Sequence, residues 1–322
     1  MHDTIIIGAG IAGMTAAIYA ARKRMNFRII AREPGGQFMK SGKVMNYPGI
    51  TQTTGFEFFS QMKKQLDMNG IEVVTGAVKK VVRLPGGGFR VMAGRESYDT
   101  RTVIIATGSV PRPLGVPGEQ RLLNKGLTYC SICDGPLFSG MEVAVVGGGN
   151  SALEAVDFMK NIASRVYVLV IGPKFTGHES LIENALNSPN VEVIFNAKTS
   201  KILGEGLVAG LEYLQGGRKN RLKVQGIIVE IGRIPDTGIF SGLLALEDDG
   251  HIIIDCQCRS SVEGIFAAGD CASGHEYQYV ISAGQGAMAL LKAAKYLAGR
   301  REPCADYCSA ASGAPKKCRQ KG

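Results

Sequence analysis

The chain has 322 residues, of which 45% are hydrophobic and 20% are charged. This balance is typical of a globular protein long enough for two domains, and it excludes a disordered chain. Lys and Arg number 37 against 28 Asp and Glu, which gives a formal net charge of +9. The basic residues are dispersed except near the C-terminus, so we expect a surface that attracts acidic proteins rather than nucleic acid.

The apolar runs and the cysteines indicate the compartment. No apolar run approaches the roughly 20 residues that span a bilayer. A predicted strand follows Met1 almost at once, which leaves no place for a secretion signal. We therefore expect a cytoplasmic protein without membrane association. In that reducing compartment, the eight cysteines are redox-active, metal-binding or plain thiols rather than a disulfide framework.

The first motif is a glycine-rich turn between a predicted strand over 4–7 and a predicted helix that runs to residue 24; a second strand over 27–31 completes a βαβ unit. In such a turn Gly8 allows the tight bend, Gly10 lets a pyrophosphate approach the backbone, and Gly13 lets the helix pack on the strand. The helix N-terminus adds N–H groups and partial positive charge. This context predicts a dinucleotide site, with Glu33 on the ribose. A turn that serves packing only, and a solvated Glu33, are the alternatives.

A second βαβ unit repeats this architecture from Gly147, 139 residues after Gly8. A predicted strand over 142–146 leads into Gly147-Gly148-Gly149-Asn150-Ser151-Ala152, a helix to about residue 163 and a strand over 165–170. Three prolines before it, at 111, 113 and 117, suggest a crossover between domains. The other predicted elements are a helix over 55–69, a strand over 102–106, strands continuing to 229, strands over 251–254 and 264–268, and a helix over 280–297.

Between the two units lies the dithiol sequence Cys130-Ser131-Ile132-Cys133-Asp134. Two thiols at this spacing can close a small disulfide, open it, and exchange it with the disulfide of another protein. Half of a zinc site is one alternative, although no second pair of ligands follows at a suitable spacing. A pair of inert thiols is the other.

Taken together, these motifs resemble the low-molecular-weight thioredoxin reductases over residues 4–297. The motifs that carry the resemblance are Gly8-x-Gly10-x-x-Gly13, Pro34-Gly35-Gly36-Gln37, Asn46-Tyr47-Pro48-Gly49, Ala106-Thr107-Gly108, Cys130-x-x-Cys133-Asp134-Gly135, Gly147-Gly148-Gly149-Asn150-Ser151-Ala152, Ala267-Ala268-Gly269-Asp270, and Gln278 with Ala283-Gly284-x-Gly286. The resemblance implies an α/β fold of two Rossmann-like, three-layer FAD/NAD(P)-binding domains, the second inserted into the first. It also implies FAD as cofactor, a homodimer, and a thioredoxin-like protein as partner.

The resemblance further implies which residues act. Cys133 lies next to the flavin, Cys130 attacks the partner disulfide, and Asp134 is the acid–base group. The implied FAD-binding residues are Gly8, Gly10, Ala12, Gly13, Glu33, Gly36, Gln37, Asn46, Thr107, Gly108, Gly269, Asp270, Gln278 and Ala283. We expect the FAD domain over 1–112 and 247–299, the inserted dithiol-bearing domain over 113–246, and a flexible basic tail over 300–322.

The second glycine loop departs from the NADPH-using relatives. Those relatives have a His-Arg-Arg run after the following strand, where this chain has Val170-Ile171-Gly172-Pro173. Because a 2′-phosphate needs cations, we expect the donor to be ferredoxin, a deazaflavin or another flavin, with NADPH as the alternative. Lys174, His178 and Arg233 are the cations within reach, or else plain surface residues. A basic surface would suit acidic ferredoxin.

Two other functions remain open for this sequence. One is a flavin oxidoreductase that acts on a different disulfide, such as that of a peroxiredoxin system; the other is a flavin redox sensor without turnover. Among the other cysteines, we expect Cys256, Cys258 and Cys271 to be buried apolar residues. The tail cysteines Cys304, Cys308 and Cys318 are a candidate thiol shuttle or metal site.

Overall fold

The structure is a computed structural model that describes residues 1–41, 43–274 and 277–299. The chain forms two compact units, one from Met1–Ser109 and the chain from Pro235 onwards, the other from Val110–Ile234. The inserted segment is therefore shorter than the expected 113–246. Residues after 235 belong to the first unit because Phe240 and Leu244 are buried in its core. The tail cysteines Cys304, Cys308 and Cys318 lie outside the described residues.

Nineteen strands and seven α-helices occur in the described residues. The strands are β1 (His2–Ile7), β2 (Phe27–Ala31), β3 (Lys43–Val44), β4 (Thr53–Thr54), β5 (Val73–Thr75), β6 (Val78–Arg83), β7 (Phe89–Ala93), β8 (Glu96–Ile105), β9 (Ser109–Pro111), β10 (Leu127–Thr128), β11 (Glu142–Val146), β12 (Arg165–Leu169), β13 (Val191–Ile194), β14 (Lys198–Leu203), β15 (Gly210–Gln215), β16 (Arg218–Leu222), β17 (Gly226–Val229), β18 (Arg233–Pro235) and β19 (Ile265–Ala267). The helices are α1 (Ile11–Arg22), α2 (Gly55–Met68), α3 (Glu119–Leu122), α4 (Ser131–Asp134), α5 (Asn150–Met159), α6 (Glu179–Leu186) and α7 (Tyr279–Leu297).

The first unit is built on a sheet in the order β5-β2-β1-β8-β7-β6, with β19 also pairing with β8. β1 runs parallel to β2 and β8, while β8 pairs antiparallel with β7 along its first half and parallel with β19 along its second. Side chains alternate between the faces of a strand: Ile6 packs with α1 and α7, and Ile5 and Ile7 pack with the β6–β7 side. Burial on both faces explains the continuous apolar run of β1.

The second unit repeats this plan around a parallel sheet in the order β10-β17-β11-β12-β13. Val143 and Val145 of β11 pack with α5 and α6 on one face. Ala144 and Val146 pack on the other face, which the antiparallel sheet β14-β15-β16 covers.

Two sequence predictions of elements are wrong. The expected strand over 251–254 is absent, because Ile252 makes only isolated bridges, to Leu246 and to Ala272. The stretch predicted to continue as strands contains α6, in which Leu181, Ile182 and Ala185 recur at helical spacing and pack onto the core of the second unit. Among the described residues, no helix has both the length and the hydropathy needed to cross a bilayer.

Close packing of α7 against α1 depends on Gly286. A Cβ atom at Gly286 would lie 2.1 Å from the carbonyl oxygen of Ala12, whereas one at Gly284, exposed two residues earlier, would meet nothing within 4 Å. The two helices can therefore approach this closely only where α7 carries a glycine.

Alanine substitutions at these two glycines are expected to shift stability in opposite directions. Gly286→Ala should lower the Tm by several degrees, since overpacking costs about 1–3 kcal/mol and each kcal/mol shifts the Tm by about 2–4 °C in a domain of this size. Gly284→Ala should leave the Tm unchanged or raise it, because alanine favours an exposed helix by up to about 1 kcal/mol. Thermal unfolding followed by circular dichroism measures both, and equal melting temperatures for the two variants would contradict the packing argument.

Candidate functional site

The first glycine loop follows β1 and opens α1. Gly8 has φ +108°, and a Cβ there would lie 2.1 Å from the carbonyl oxygen of Ala106; a Cβ on Gly13 would lie 1.9 Å from the carbonyl oxygen of Gly8. The space beside Gly10 is open, with nothing within 4 Å of a Cβ at that position. Gly10 is also the N-cap of α1 and gives its first turn no side-chain cap. The loop thus leaves backbone N–H groups facing open space, as a bound pyrophosphate requires.

Three parallel strands end at the same edge of this sheet. Thr107 and Gly108 follow β8, and Gly269 and Asp270 follow β19. A Cβ on Gly269 would lie 3.2 Å from that of Ala12, so the late motif contacts the first glycine loop. The Thr107 hydroxyl is buried and makes no hydrogen bond to any described residue. A buried polar atom of this kind is a place for a ligand contact.

The half-buried Asp270 carboxylate accepts hydrogen bonds from the hydroxyls of Ser109 (3.2 Å) and Ser282 (3.4 Å). Gln37 donates its amide to the carbonyl oxygen of Ser109 at 3.2 Å. A Cβ on Gly36 would lie 3.2 Å from the Cα of Gly10. The Gly36–Gln37 turn and Asp270 therefore border the same loop.

The start of α7 completes this region. Gln278 is the N-cap of α7, and its amide oxygen accepts a hydrogen bond from the side chain of Asn46 at 3.1 Å. Ala283 is buried, next to the Ser282 that contacts Asp270. Glu33 instead lies exposed, two residues beyond the end of β2.

These residues fit FAD. The open glycine loop and the uncapped helix suit a pyrophosphate, and the carboxylate of Asp270 suits sugar hydroxyls, since an ionised carboxylate only accepts hydrogen bonds. The unpartnered hydroxyl of Thr107 offers a further contact. The sequence identified all of these residues, but it gave no sign that Ser109 and Ser282 orient Asp270.

The second unit holds the dithiol as a Cys130–Cys133 disulfide with a Cα–Cα distance of 5.4 Å. Cys130 is half-buried and is the N-cap of α4, whereas Cys133 is exposed. The backbone N–H of Cys133 donates to the sulfur of Cys130 at 3.2 Å. Among the described residues, this pair is the only disulfide.

A buried threonine connects Asp134 to the disulfide. The Thr128 hydroxyl donates to the Asp134 carboxylate at 2.5 Å and accepts from the N–H of Cys130 at 3.0 Å. Thr128 is the last residue of β10 and is 4% exposed. The sequence analysis missed it, since a lone hydroxyl residue before a cysteine has no distinctive spacing.

A second buried anchor holds the residue before Cys130. The Glu119 carboxylate is 2% exposed and accepts from the Tyr129 hydroxyl at 2.6 Å. It also accepts from the backbone N–H groups of Leu114 at 2.7 Å and Gly115 at 2.8 Å. Burial and this carboxylate raise the pKa of Tyr129 above its ordinary value, so the phenol keeps its proton.

The second glycine loop lies between β11 and α5, with Gly147 at φ +144° and Gly149 as the helix N-cap. Beyond β12, where a 2′-phosphate would need cations, Ile171 is 73% exposed. Lys174 and His178 are both exposed. The structure therefore has an apolar side chain at the place where the NADPH-using relatives carry their basic run.

The remaining described cysteines divide into two kinds. Cys258 and Cys271 are buried as expected, and burial raises the pKa of Cys258 to about 12 and that of Cys271 above its ordinary value. The expectation of burial is wrong for Cys256, which is exposed in the turn before Cys258. The two buried thiols stay protonated and unreactive at neutral pH.

One cluster in the first unit was not identified from the sequence. Ligand atoms of Glu247, Asp249 and His251 lie within 4.8 Å of one another. The buried His251 ring contacts the Asp249 carboxylate at 2.7 Å and the Tyr277 hydroxyl at 2.8 Å, one through each nitrogen. Both ring nitrogens are engaged in this way, so the cluster fastens a turn.

Comparison with solved structures agrees with the fold. The thioredoxin reductase of Lactococcus lactis superposes with a TM-score of 0.88 and 30% identity, over 93% of this chain and 100% of that one. A ferredoxin-flavin thioredoxin reductase from Clostridium acetobutylicum superposes with a TM-score of 0.52 and 30% identity, over 92% of this chain and 98% of that one.

Comparison with curated proteins finds the alkyl hydroperoxide reductase flavin-type component AhpF of two bacteria. The Escherichia coli (strain K12) protein is 37% identical over 303 residues, 92% of this chain and 58% of its own length. The Staphylococcus aureus (strain MSSA476) protein is 36% identical over 299 residues, 92% of this chain and 59% of its own length. The chain thus spans less than three fifths of the length of these relatives.

The family model of pyridine nucleotide-disulphide oxidoreductases matches residues 2–295. These matches confirm three predictions: the resemblance to low-molecular-weight thioredoxin reductases, the fold of two Rossmann-like domains, and FAD as the cofactor. Since the match spans both units and the disulfide lies within it, the chain belongs to the pyridine nucleotide-disulphide oxidoreductase family.

Proposed function

We propose that this protein is a flavin-dependent reductase that passes two electrons through Cys130 and Cys133 to the disulfide of a thioredoxin-like protein. The observation that carries the proposal is the Cys130–Cys133 disulfide with Asp134 held beside it by Thr128. The homodimer is part of the proposal on the resemblance alone. The proposed donor is ferredoxin, a deazaflavin or another flavin rather than NADPH.

The proposed FAD site consists of the residues identified from the sequence, and bound FAD supplies a reversible carrier of two electrons. The residues that would hold it are Gly8, Gly10, Ala12, Gly13, Gly36, Gln37, Asn46, Thr107, Gly108, Gly269, Asp270, Gln278 and Ala283, with Glu33 as a ribose contact. The contacts described above among these residues support the proposal.

The thiol chemistry proceeds by two exchanges. Two electrons and two protons convert the Cys130–Cys133 disulfide to a dithiol. The Cys130 thiolate then attacks the partner disulfide, which forms a mixed disulfide and releases one partner thiolate. Cys133 attacks the Cys130 sulfur, which restores the internal disulfide and releases the second partner thiolate. The two protons of the dithiol pass to the two released thiolates.

The proposed roles of Cys130 and Asp134 follow from their hydrogen bonds. An N–H group that donates to sulfur stabilises a thiolate, and the N–H of Cys133 donates to Cys130. This contact favours Cys130 as the nucleophile and leaves Cys133 as the resolving thiol. Asp134 is close in sequence to both thiols and carries a proton between thiol and leaving thiolate.

The donor is inferred from the second glycine loop. Exposed Ile171 stands where cations would bind a 2′-phosphate, and the chain is similar to a ferredoxin-flavin thioredoxin reductase over 92% of its length. The net charge of +9 would attract an acidic donor protein.

A second candidate function is favoured by the identity of 36% and 37% to the two AhpF proteins. In that case the dithiol would serve the peroxidase of an alkyl hydroperoxide reductase system. A flavin redox sensor without turnover is the third candidate. Multiple turnovers with purified thioredoxin, compared with turnovers with such a peroxidase, separate the three.

The choice of donor is tested by anaerobic reduction of the bound flavin. Reduced ferredoxin or a reduced deazaflavin should bleach the flavin absorbance in a stopped-flow instrument, while micromolar NADPH and NADH should leave it oxidised, because the second loop lacks phosphate-binding cations. Sodium dithionite serves as the control for a reducible flavin. Rapid bleaching by micromolar NADPH would remove the proposed donor.

Serine substitutions in the disulfide are expected to abolish turnover but to differ in the intermediate they trap. Cys133→Ser should accumulate a mixed disulfide between Cys130 and the partner, because the resolving thiol is missing; Cys130→Ser should not. Non-reducing electrophoresis and mass spectrometry measure the adduct, and Cys256→Ser is the matched control at an exposed cysteine. An adduct with Cys130→Ser but not with Cys133→Ser would reverse the two roles.

Removing the Thr128 hydroxyl should slow exchange because Asp134 and Cys130 lose their shared contact. Thr128→Val is expected to lower disulfide-reduction turnover by about 10- to 100-fold, the lower part of the range for general acid–base catalysis. Thr128→Ser keeps the hydroxyl and should retain most activity.

The matched control is Thr199→Val, since Thr199 is also buried in the second unit but its hydroxyl makes no hydrogen bond to the described residues. Turnover of Thr128→Val equal to that of the control would show that the hydroxyl has no part in the reaction.

A further inference from the structure

The second unit has a crevice where its strand order reverses. From β11 the chain proceeds to β12 and β13 on one side of the sheet, while β17 pairs with β11 on the other side. Ligands of open parallel sheets bind beyond the carboxyl ends of the strands at such a switch point. Here those ends are followed by the loop Gly147–Gly149 after β11 and by Glu230 after β17.

Glu230 lies directly against the glycine loop. Its backbone N–H donates to the carbonyl oxygen of Val146 at 2.8 Å, and a Cβ on Gly147 would lie 2.0 Å from its carbonyl oxygen. The residue is half-buried, and its carboxylate makes no hydrogen bond or ion pair with the described residues. An unpaired carboxylate in a crevice is costly to bury, so it is an unusual group to find at a phosphate-binding loop.

The neighbouring charges do not neutralise it. Glu154 contributes a second carboxylate from α5, the helix that the loop opens, and Arg233 of β18 opposes them from the other side. Burial, with a smaller contribution from Glu154, raises the pKa of Glu230 to about 7, while Arg233 lowers it. Burial also raises the pKa of Glu154 and His178 lowers it. Glu230 therefore changes from neutral to negative as the pH rises through neutrality.

A dinucleotide in this crevice would bring its pyrophosphate to the glycine loop and to Glu230 together. An ionised carboxylate in a partly desolvated crevice repels phosphate oxygens more strongly than one in water. The exposed Ile171 beyond β12 supplies no compensating cation. The helix N-terminus of α5 alone must then offset the repulsion.

We propose that Glu230 is a specificity-determining residue that disfavours pyridine dinucleotides in the crevice of the second unit and so reserves Cys130 and Cys133 for electrons from another donor. This inference rests on the proposed function, in which the donor is not NADPH.

The test is calorimetric titration of the oxidised holoenzyme with ADP-ribose, which carries the pyrophosphate but no 2′-phosphate that would itself titrate. At pH 8, Glu230→Gln should bind ADP-ribose about tenfold more tightly than the wild type, the factor that corresponds to a pKa change of one unit on binding. The wild type should gain about the same factor between pH 8 and pH 6, because Glu230 becomes neutral below its pKa. The Glu230→Gln variant should lose this dependence.

Glu205→Gln is the control, since Glu205 is an exposed carboxylate in the same unit, between β14 and β15. Glu230→Ala and the wild-type pH series keep the test valid should Glu230→Gln fail to fold. Wild-type affinity that is the same at both pH values, or affinity of both Glu230 variants within twofold of the control, would overturn the inference. Rapid flavin bleaching by NADPH in the wild type would instead overturn the proposed donor, so the two failures are distinguishable.

Discussion

Parallel pairing of β1, β8 and β19 is the constraint on which the cofactor site depends. Because parallel strands end at the same edge, the pairing brings together segments that lie about one hundred residues or more apart: the loop after β1, Thr107 after β8, and Asp270 after β19. The two faces of this sheet are buried by separate cores. A one-residue slip of β1 would exchange Ile6 with its neighbours across those faces, so the register is strongly specified.

The same plan recurs in the second unit, yet the side chains at its edge differ in chemistry. Beyond the strands of the first unit stand hydroxyls and a hydrogen-bonded carboxylate, Asp270, that suit a ligand rich in hydroxyl groups. Beyond the strands of the second unit stand exposed Ile171 and the unpaired Glu230. One architecture thus supports two sites of different electrostatic character, since the fold provides the crevice and the side chains decide what it accepts.

The dithiol depends on buried anchors rather than on its own helix. α4 has only four residues and cannot hold a position by itself. Thr128 and Tyr129, the two residues before Cys130, are tied by their hydroxyls to Asp134 and Glu119. Glu119 in turn fixes the backbone at 114–115. A rigid support of this kind keeps sulfur and carboxylate in register through cycles of opening and closing.

The sequence by itself determined the two βαβ units, the glycine loops and the cysteine pair, because each is a local pattern in which spacing alone fixes the geometry. The bounds of β2 and β11 were predictable from apolar runs, whereas α6 and the isolated bridges of Ile252 were not, since they depend on which neighbours cover them. Only the tertiary structure placed Ser109 and Ser282 on Asp270, joined Thr128 to Asp134, and left Glu230 unpaired beside Gly147. These contacts join residues whose burial and partners are set by the pairing of distant strands and by packing, and neither quantity is encoded in local spacing.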